Sequence, residues 1–272
     1  MPNDKGGMNP SNINTAPLVA LEGRLRRCPF VVTLGVRPNY SDYSAEEKRL
    51  IQRAAKIYYP STFYAELLDA IGKRTFPSYH TYKIAQDKIK QTALFQMAGI
   101  PHPRTRVFFG KRQKHQIRDY FKLPLVAKVA RGSALGRGVF LIRTPGELEH
   151  YCQNHSPAYI QEYLSIDKDI RVVVIGRKAV HAYWRVAPEG EFRTNVAQGG
   201  AIDLSPVPQE AIRLAEQAAT LCHLDDVGFD ICHHQGNFMV LEANMKYGRE
   251  GFRQYGIDFE KMMERLIADG EI

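Results

Sequence analysis

Apolar and polar positions change rhythm along this chain, and the changes mark its elements. Residues 29–35, PFVVTLG, form an apolar run of strand length. Ser44 then opens a helix, because Glu47 three residues on completes a capping box. That helix is expected to run to about Tyr58 and to stop before Pro60. A second helix is expected from Thr62 to Ile71. In HTYKIAQDKIKQTALFQMAG, Ile84, Lys88, Thr92 and Phe95 recur at helical spacing, and Gly99 suits the left-handed residue that closes a helix. Pro101 and Pro103 mark a linker. From Thr105 onward short strands alternate with helices: TRVFF, the helix KHQIRDYF, then LPLVAKVA and GVFLIRT. Thr144, Pro145 and Glu147 carry the signals of a helix start. AYIQEYL, DIRVVVIG and KAVHAYWRVA follow as strands, Pro208 to Leu224 as an Ala-rich helix, and Asp258 to Gly270 as a last helix. The pattern predicts an α+β fold with mostly antiparallel sheets.

Asp226 to Gly251 is the stretch around which the rest is organised. GFDIC and FMVLEAN read as paired strands, with His233, His234, Gln235, Gly236 and Asn237 as the turn. A five-residue turn sets Cys232 opposite Phe238 and Asp230 opposite Val240. Glu242 and Asn244 are two apart and share a face, and in that register Asp230 joins them. Two carboxylates and an amide oxygen on one face repel unless a cation lies between them, so one carboxyl should titrate upward without it. An all-oxygen set this small suits Mg²⁺, with phosphates and water completing its shell. The alternative is a surface hairpin whose polar residues face water, against which Phe229, Ile231, Val240 and Leu241 argue for burial.

At 272 residues, 44% hydrophobic and 24% charged, the composition is that of a globular protein with a substantial core. No apolar run approaches the roughly 18 residues of a membrane span, and the first 17 residues are polar and rich in Asn, Pro and Gly, with no signal-peptide core. A disordered tail, no membrane and a cytoplasmic location are the expectations. Cys28, Cys152, Cys222 and Cys232 are scattered without a metal-ligating spacing and read as free thiols. A net charge of +8 favours an anionic partner. The basic runs GRLRR and GKRQKHQIR lack interleaved aromatics and read as solvated faces, so nucleic acid is not the expected partner.

Lys128 ends the apolar strand LPLVAK, where an ammonium is costly unless it meets an anion. Gly132, Ser133 and Gly136 follow in a Gly-rich loop that leads into a strand, hence a hairpin flap able to approach phosphate oxygens. It is not a P-loop, which opens a helix. Gln161, Glu162, Tyr163 and Leu164 form a strand-end connector that could offer backbone groups to an adenine edge, with Asp169 or Glu162 accepting ribose hydroxyls. Arg171, Arg185 and Arg193 lie on or beside successive strands and are candidate catalytic residues if they share an anion-binding face; Asn195 could add a hydrogen bond. His233 and His234 read as solvated turn residues. There is no Gly-x-Ser-x-Gly elbow.

The order of these pieces resembles the ATP-grasp superfamily, and within it the RimK-like ligases that join glutamate to an amine. It runs from Asp87-Lys88 and Lys128 through the flap, Gln161-Glu162-Tyr163 and Asp169-Ile170-Arg171. Phe192 to Asn195, Gly199-Gly200, Gly228 to Asp230, Glu242 to Asn244, Gly248 and Gly251 complete it. The resemblance covers roughly residues 60–270. It implies an ATP-grasp fold with a shortened N-terminal domain: a disordered tail over 1–28, a reduced first region over 29–104, a central lid over 105–165 and a catalytic subdomain over 166–272. It implies that Lys88 and Lys128 hold ATP phosphates, that Gln161 to Leu164 line the adenine pocket and that Asp169 meets the ribose. Arg193 and Asn195 would face the triphosphate, and Asp230, Glu242 and Asn244 would hold Mg²⁺ or Mn²⁺. The implied activity is ATP-dependent ligation of a carboxylate, such as glutamate, to an amine on a small molecule or peptide, with a homo-oligomer allowed. The other class is a regulatory or scaffold protein that binds nucleotide without ligation. Three departures bear on this: the small first region, a flap one residue longer than usual, and Met-Lys-Tyr-Gly after Asn244, where the family has a small residue and a proline.

Overall fold

The computed structural model describes residues 16–132, 138–188 and 200–272. The chain forms two compact units, residues 1–75 and 76–272. In the first, β1 (Val19–Ala20), β2 (Val32–Thr33), α1 (Ala45–Arg53), β3 (Lys56–Tyr58), α2 (Ser61–Ala70) and β4 (Arg74–Phe76) follow one another. The strands lie in the order β2-β1-β3-β4, with β1 parallel to both neighbours. Ser44 caps α1 as its sequence requires: its hydroxyl accepts from the Glu47 amide at 3.1 Å, and the Glu47 carboxylate accepts from the Ser44 amide at 2.7 Å.

Two expectations for this region are corrected. The helix from Ser44 stops at Arg53 rather than near Tyr58, and Lys56–Tyr58 is a strand. Pairing of Val19 with Ile57 and Ala20 with Tyr58 buries both apolar side chains, and that burial overrides helix propensity. The segment 1–28, expected to be a disordered tail, contains β1, an inner strand that is fully buried.

The region expected over 29–104 is also divided differently, since the first unit ends at Thr75. Residues 76–104 belong with the second unit because their polar groups bond there. The Ser78 amide and Thr81 hydroxyl donate to Asp225 at 3.0 and 2.7 Å. The expected single helix is two, α3 (Tyr79–Ala85) and α4 (Lys88–Ala98). Asp87 breaks it by leaving helical geometry to accept from the Ile89 and Lys90 amides, which makes it the N-cap of α4.

A four-stranded antiparallel sheet follows, built from β5 (Thr105–Phe108), β6 (Leu125–Lys128), β7 (Val139–Ile142) and β8 (Ala158–Glu162) in the order β5-β8-β6-β7. The short helices α5 (Gly110–Lys114) and α6 (Ile117–Tyr120) and the longer α7 (Pro145–Asn154) connect them. Phe108, Ile117, Phe121, Leu125, Ile142, Leu148 and Ile160 form the core of this layer. Lys128 pairs with Tyr159 and Val126 with Gln161, so the other face of the sheet carries these four side chains together.

The second sheet contains β9 (Lys168–Ile175), β10 (Lys178–Val186), β11 (Ala201–Asp203), β12 (Asp226–His234) and β13 (Asn237–Asn244), antiparallel in the order β11-β10-β9-β12-β13. α8 (Gln209–Leu221) buries Ala211, Leu214, Ala215 and Ala218 and packs against this sheet. α9 (Glu250–Gln254) and α10 (Phe259–Ala268) complete the chain. Alternation divides the sheet into a face with an apolar centre, of Ile170, Val172, Val174, Val227, Phe229 and Ile231, and a face on which Asp169, Arg171, Arg185, Asp226 and Asp230 are buried. Among the described residues no helix is long and apolar enough to cross a membrane. The four cysteines carry no disulfide, and burial pushes the Cys232 thiol up to about 12 and that of Cys222 to about 11.

Candidate active site

The hairpin brings Asp230, Glu242 and Asn244 to one face by a route the sequence pattern does not show. The turn is two residues, Gln235 and Gly236, both with positive φ, rather than five, and Cys232 pairs with Met239 instead of Phe238. Continued unbroken, that register would set Asp230 opposite Leu241 and turn it away from Glu242. A bulge between Asp230 and Ile231 takes up Leu241. Beyond it Asp230 pairs with Glu242 and Gly228 with Asn244, so the three oxygen-bearing side chains share a face.

Asp230 sits in a closed network. Arg171 Nε donates to its Oδ1 at 2.5 Å, and an Arg185 Nη lies 3.0 Å from its Oδ2. Arg185 also grips Asp169 through two parallel bonds of 2.7 and 2.6 Å. Burial alone would raise the Asp230 pKa, but the two guanidinium groups outweigh it and hold the carboxyl below its ordinary range. The upward titration expected from two adjacent carboxylates is therefore reversed at Asp230, because arginines answer the repulsion before any metal does. The same contacts revise the expected anion-binding face. Arg171 and Arg185 do share a face, but they are buried and turned onto Asp230 and Asp169.

Glu242 meets Lys88 at 2.8 Å. The reach of Lys88 is set by α4, which Gln91 ties to β13. The Gln91 amide donates to the carbonyl of Ala243 and accepts from its amide, both at 2.9 Å, as a strand neighbour would. Sequence reasoning missed Gln91; its one signal is its position three residues after Lys88, on an adjoining part of the same helix face. Asp87 holds the other side of this helix start, accepting from Arg131 Nε at 2.7 Å. The Lys88 amide donates to Ala130, so the start of α4 and the root of the Gly-rich loop are fastened together.

Lys128 ends β6 and is buried. Desolvation lowers its pKa, opposed by attraction to Glu242 and Asp230 and reinforced by repulsion from Lys88. A buried amine attracted by two carboxylates suits a polyanion brought in with a divalent cation. The donor set, two carboxylates and an amide oxygen on one face, fits Mg²⁺. Among the described residues no cluster of three or more His, Cys, Asp and Glu side chains offers another metal site.

Gln161 is buried and donates to the Thr105 hydroxyl at 2.9 Å. Glu162 accepts from the Arg104 amide at 2.6 Å, and Tyr163 and Leu164 are half-buried in the connector that leads to β9. Asp169, expected to meet a ribose, is instead buried with both oxygens on Arg185. Gly132 is exposed with φ +71°, at the root of the Gly-rich loop. Ser133, Gly136, Arg193 and Asn195 lie outside the described residues.

Two antiparallel sheets, one bearing a desolvated lysine and the other a carboxylate pair on a hairpin, define an ATP-grasp protein. The fold matches the crystal structure of a RimK domain ATP-grasp protein from Sphaerobacter thermophilus DSM 20745 with TM-score 0.67 at 17% identity, over 92% of this chain and 98% of that one. It also matches the ATP-grasp ligase PsnB complexed with minimal precursor, Mg and ADP, with TM-score 0.67 at 19% identity over 94% and 99%. Residues 85–267 match the model of the RimK-like ATP-grasp domain, and the chain belongs to that family. It is 31% identical over 191 residues to the ribosomal protein bS6–L-glutamate ligase of Escherichia fergusonii, a match spanning 67% of this chain and 63% of that protein. It is 30% identical over 165 residues to beta-citrylglutamate synthase B of Danio rerio, across 57% and 40%.

Proposed function

We propose that this chain is an ATP- and Mg²⁺-dependent carboxylate–amine ligase of RimK-like type. The observation that carries the reading is the pairing of Asp230 with Glu242, with Asn244 on the same face, Lys88 on Glu242 and Lys128 attracted by both carboxylates. Lys128 and Lys88 bind ATP phosphates. The desolvation that disfavours the Lys128 ammonium also strengthens its attraction to an anion. Gln161 to Leu164 line the adenine. Glu162, partly open to solvent, takes the ribose role in place of Asp169. Gly132 contributes backbone to the phosphate cradle, and Ser133, Gly136, Arg193 and Asn195 complete it. Mg²⁺, or Mn²⁺ in its stead, held by Asp230, Glu242 and Asn244, supplies neutralisation of phosphate charge. Arg171 and Arg185 keep Asp230 ionised and fixed.

In the reaction a carboxylate oxygen attacks the γ-phosphorus, the bond to the β,γ-bridging oxygen breaks, and ADP leaves. The amine then attacks the acyl carbon, the acyl–oxygen bond breaks, phosphate leaves and the amine gives up a proton. The chain's part is positioning and electrostatics. Glutamate is the carboxylate or amine partner favoured by the names of its relatives, and the acceptor is a peptide or small molecule. The test is incubation with ATP, Mg²⁺ and a panel of amino acids and short peptides. Release of ADP and phosphate that depends on both a carboxylate and an amine supports the reading. AMP with pyrophosphate, or ATP binding without turnover across the panel, counts against it.

A further inference from the structure

We propose that Tyr247 is a positioning residue of this site: it straps the segment after Asn244 across the carboxylate face and, through Arg171, fixes Asp230. The inference rests on the ligand reading above and concerns a residue of the Met-Lys-Tyr-Gly segment that departs from the family pattern.

Asp226, Gly228 and Asp230 point to the same face of β12. Tyr247 touches the first two positions and reaches the third through Arg171. Its hydroxyl donates to Asp226 Oδ1 at 2.7 Å, and both residues are buried. Its Cβ lies over Gly228, where an added methyl would come within 2.4 Å of Tyr247 Cβ and 2.9 Å of Arg171 Cδ. Gly228 is thus required by space, since the strand's own conformation does not demand it. The Tyr247 carbonyl accepts from Arg171 Nη1 at 2.9 Å, and the same guanidinium donates through Nε to Asp230 at 2.5 Å.

The strap is pressed down again further along. A methyl on Gly251 would meet the Tyr183 ring at 2.2 Å, and Phe252 and Tyr255 lie against His181 at 4.8 and 4.6 Å between centroids. Tyr183 and His181 belong to the same sheet face as Arg171. The position of the Tyr247 carbonyl is therefore set at one end by its own ring and hydroxyl and at the other by α9. Arg171 has one donor on that carbonyl and another on Asp230, so a shift of the strap becomes a rotation of the guanidinium and of the carboxylate bound to it.

The Tyr247→Phe protein tests this by removing one hydroxyl and keeping the packed ring. Because that change also removes a donor from Asp226, the double variant Tyr247→Phe/Asp226→Asn serves beside it. The measurement is the Mn²⁺ concentration that gives half of the ATP-induced rise in melting temperature, together with ATP binding in EDTA. Both variants are expected to need about tenfold more Mn²⁺ than the parent, the scale seen when partners of metal-binding groups are lost. Metal-free ATP binding should stay as in the parent. The double variant should need no more Mn²⁺ than Tyr247→Phe alone, since both lack the same hydrogen bond. A parental Mn²⁺ requirement in either variant, with only the melting temperature lowered, overturns the inference and leaves Tyr247 a structural strut. A parent protein with no metal-dependent ATP shift overturns the ligand reading itself, and the inference with it.

Discussion

The two antiparallel sheets of the second unit treat buried charge in opposite ways. In the five-stranded sheet, Asp169, Arg185, Asp230 and Arg171 bind one another in a chain of contacts, each of them buried. In the four-stranded sheet, Lys128 is desolvated at the end of β6, and the carboxylates that attract it, Glu242 and Asp230, belong to the other sheet. A network satisfied within itself makes a stiff support, because each charge has a partner whether or not a ligand is present. Desolvation of Lys128 raises the energy of the folded protein, and an arriving anion relieves it. One sheet holds the site in shape; the other holds the incentive to bind.

The largest effect that would break this comparison is at Asp230. Asp230→Asn leaves Arg171 and Arg185 short of a buried counter-charge and should cost about 3–5 kcal/mol of stability, read by urea unfolding. The Asp230 pKa is depressed in the folded state, so its stabilisation is present above the ordinary carboxylate range and is lost as pH falls through the folded value. The variant should lack that acid-side loss. A cost below about 1 kcal/mol would mean that the arginines find other partners and the support is not closed.

Lys128→Met should act in the opposite direction. Removing a desolvated ammonium should leave the empty protein as stable as the parent, or more stable by about 1 kcal/mol, while the ATP-induced melting shift disappears. The pH dependence gives a second reading. Burial lowers the Lys128 pKa, so between that value and the ordinary lysine value of about 10.4 the unfolded chain holds more protons and parental stability gains with pH. Bound phosphate restores the ammonium, so ATP binding in that window should take up a proton. Calorimetry in buffers of different ionisation enthalpy detects the uptake, and its persistence in Lys128→Met would assign it elsewhere.

The smallest expected effect is at Glu242. Its pair with Lys88 is partly open to solvent, so Glu242→Gln should cost about 1 kcal/mol or less while ATP turnover falls steeply. A stability loss as large as that of Asp230→Asn would place Glu242 inside the support rather than at its edge.

Much of this was legible because it repeats within a few residues. Ser44 and Glu47 declare a helix start, Thr144 to Glu147 another, and the apolar runs in DIRVVVIG and GFDIC declare strands. The shared face of Glu242 and Asn244 follows from period two alone. Hidden features are those whose signal is short or distant. β1 is two residues long, too brief for any periodicity, and is a strand only because β2 and β3 flank it. Gln91 reads as the polar side of a helix until Ala243 lies beside it. The bulge at Leu241 leaves no mark in composition, although without it Asp230 would face away from Glu242.

The sequence by itself determined which chemistry this protein has to hand: a carboxylate pair two strands wide, an amide beside it, a lysine at the end of an apolar strand and glycines to admit a ligand's oxygens. Residue type and spacing set those, because side-chain direction along a strand is a local property. The tertiary structure decided which charges neutralise which. Arg171 meets Asp230 across 59 positions of sequence, and Tyr247 reaches Asp226 and Arg171 from the far side of a hairpin. No local pattern encodes such choices. They arise from the competition of every buried polar group for a partner once water has been excluded.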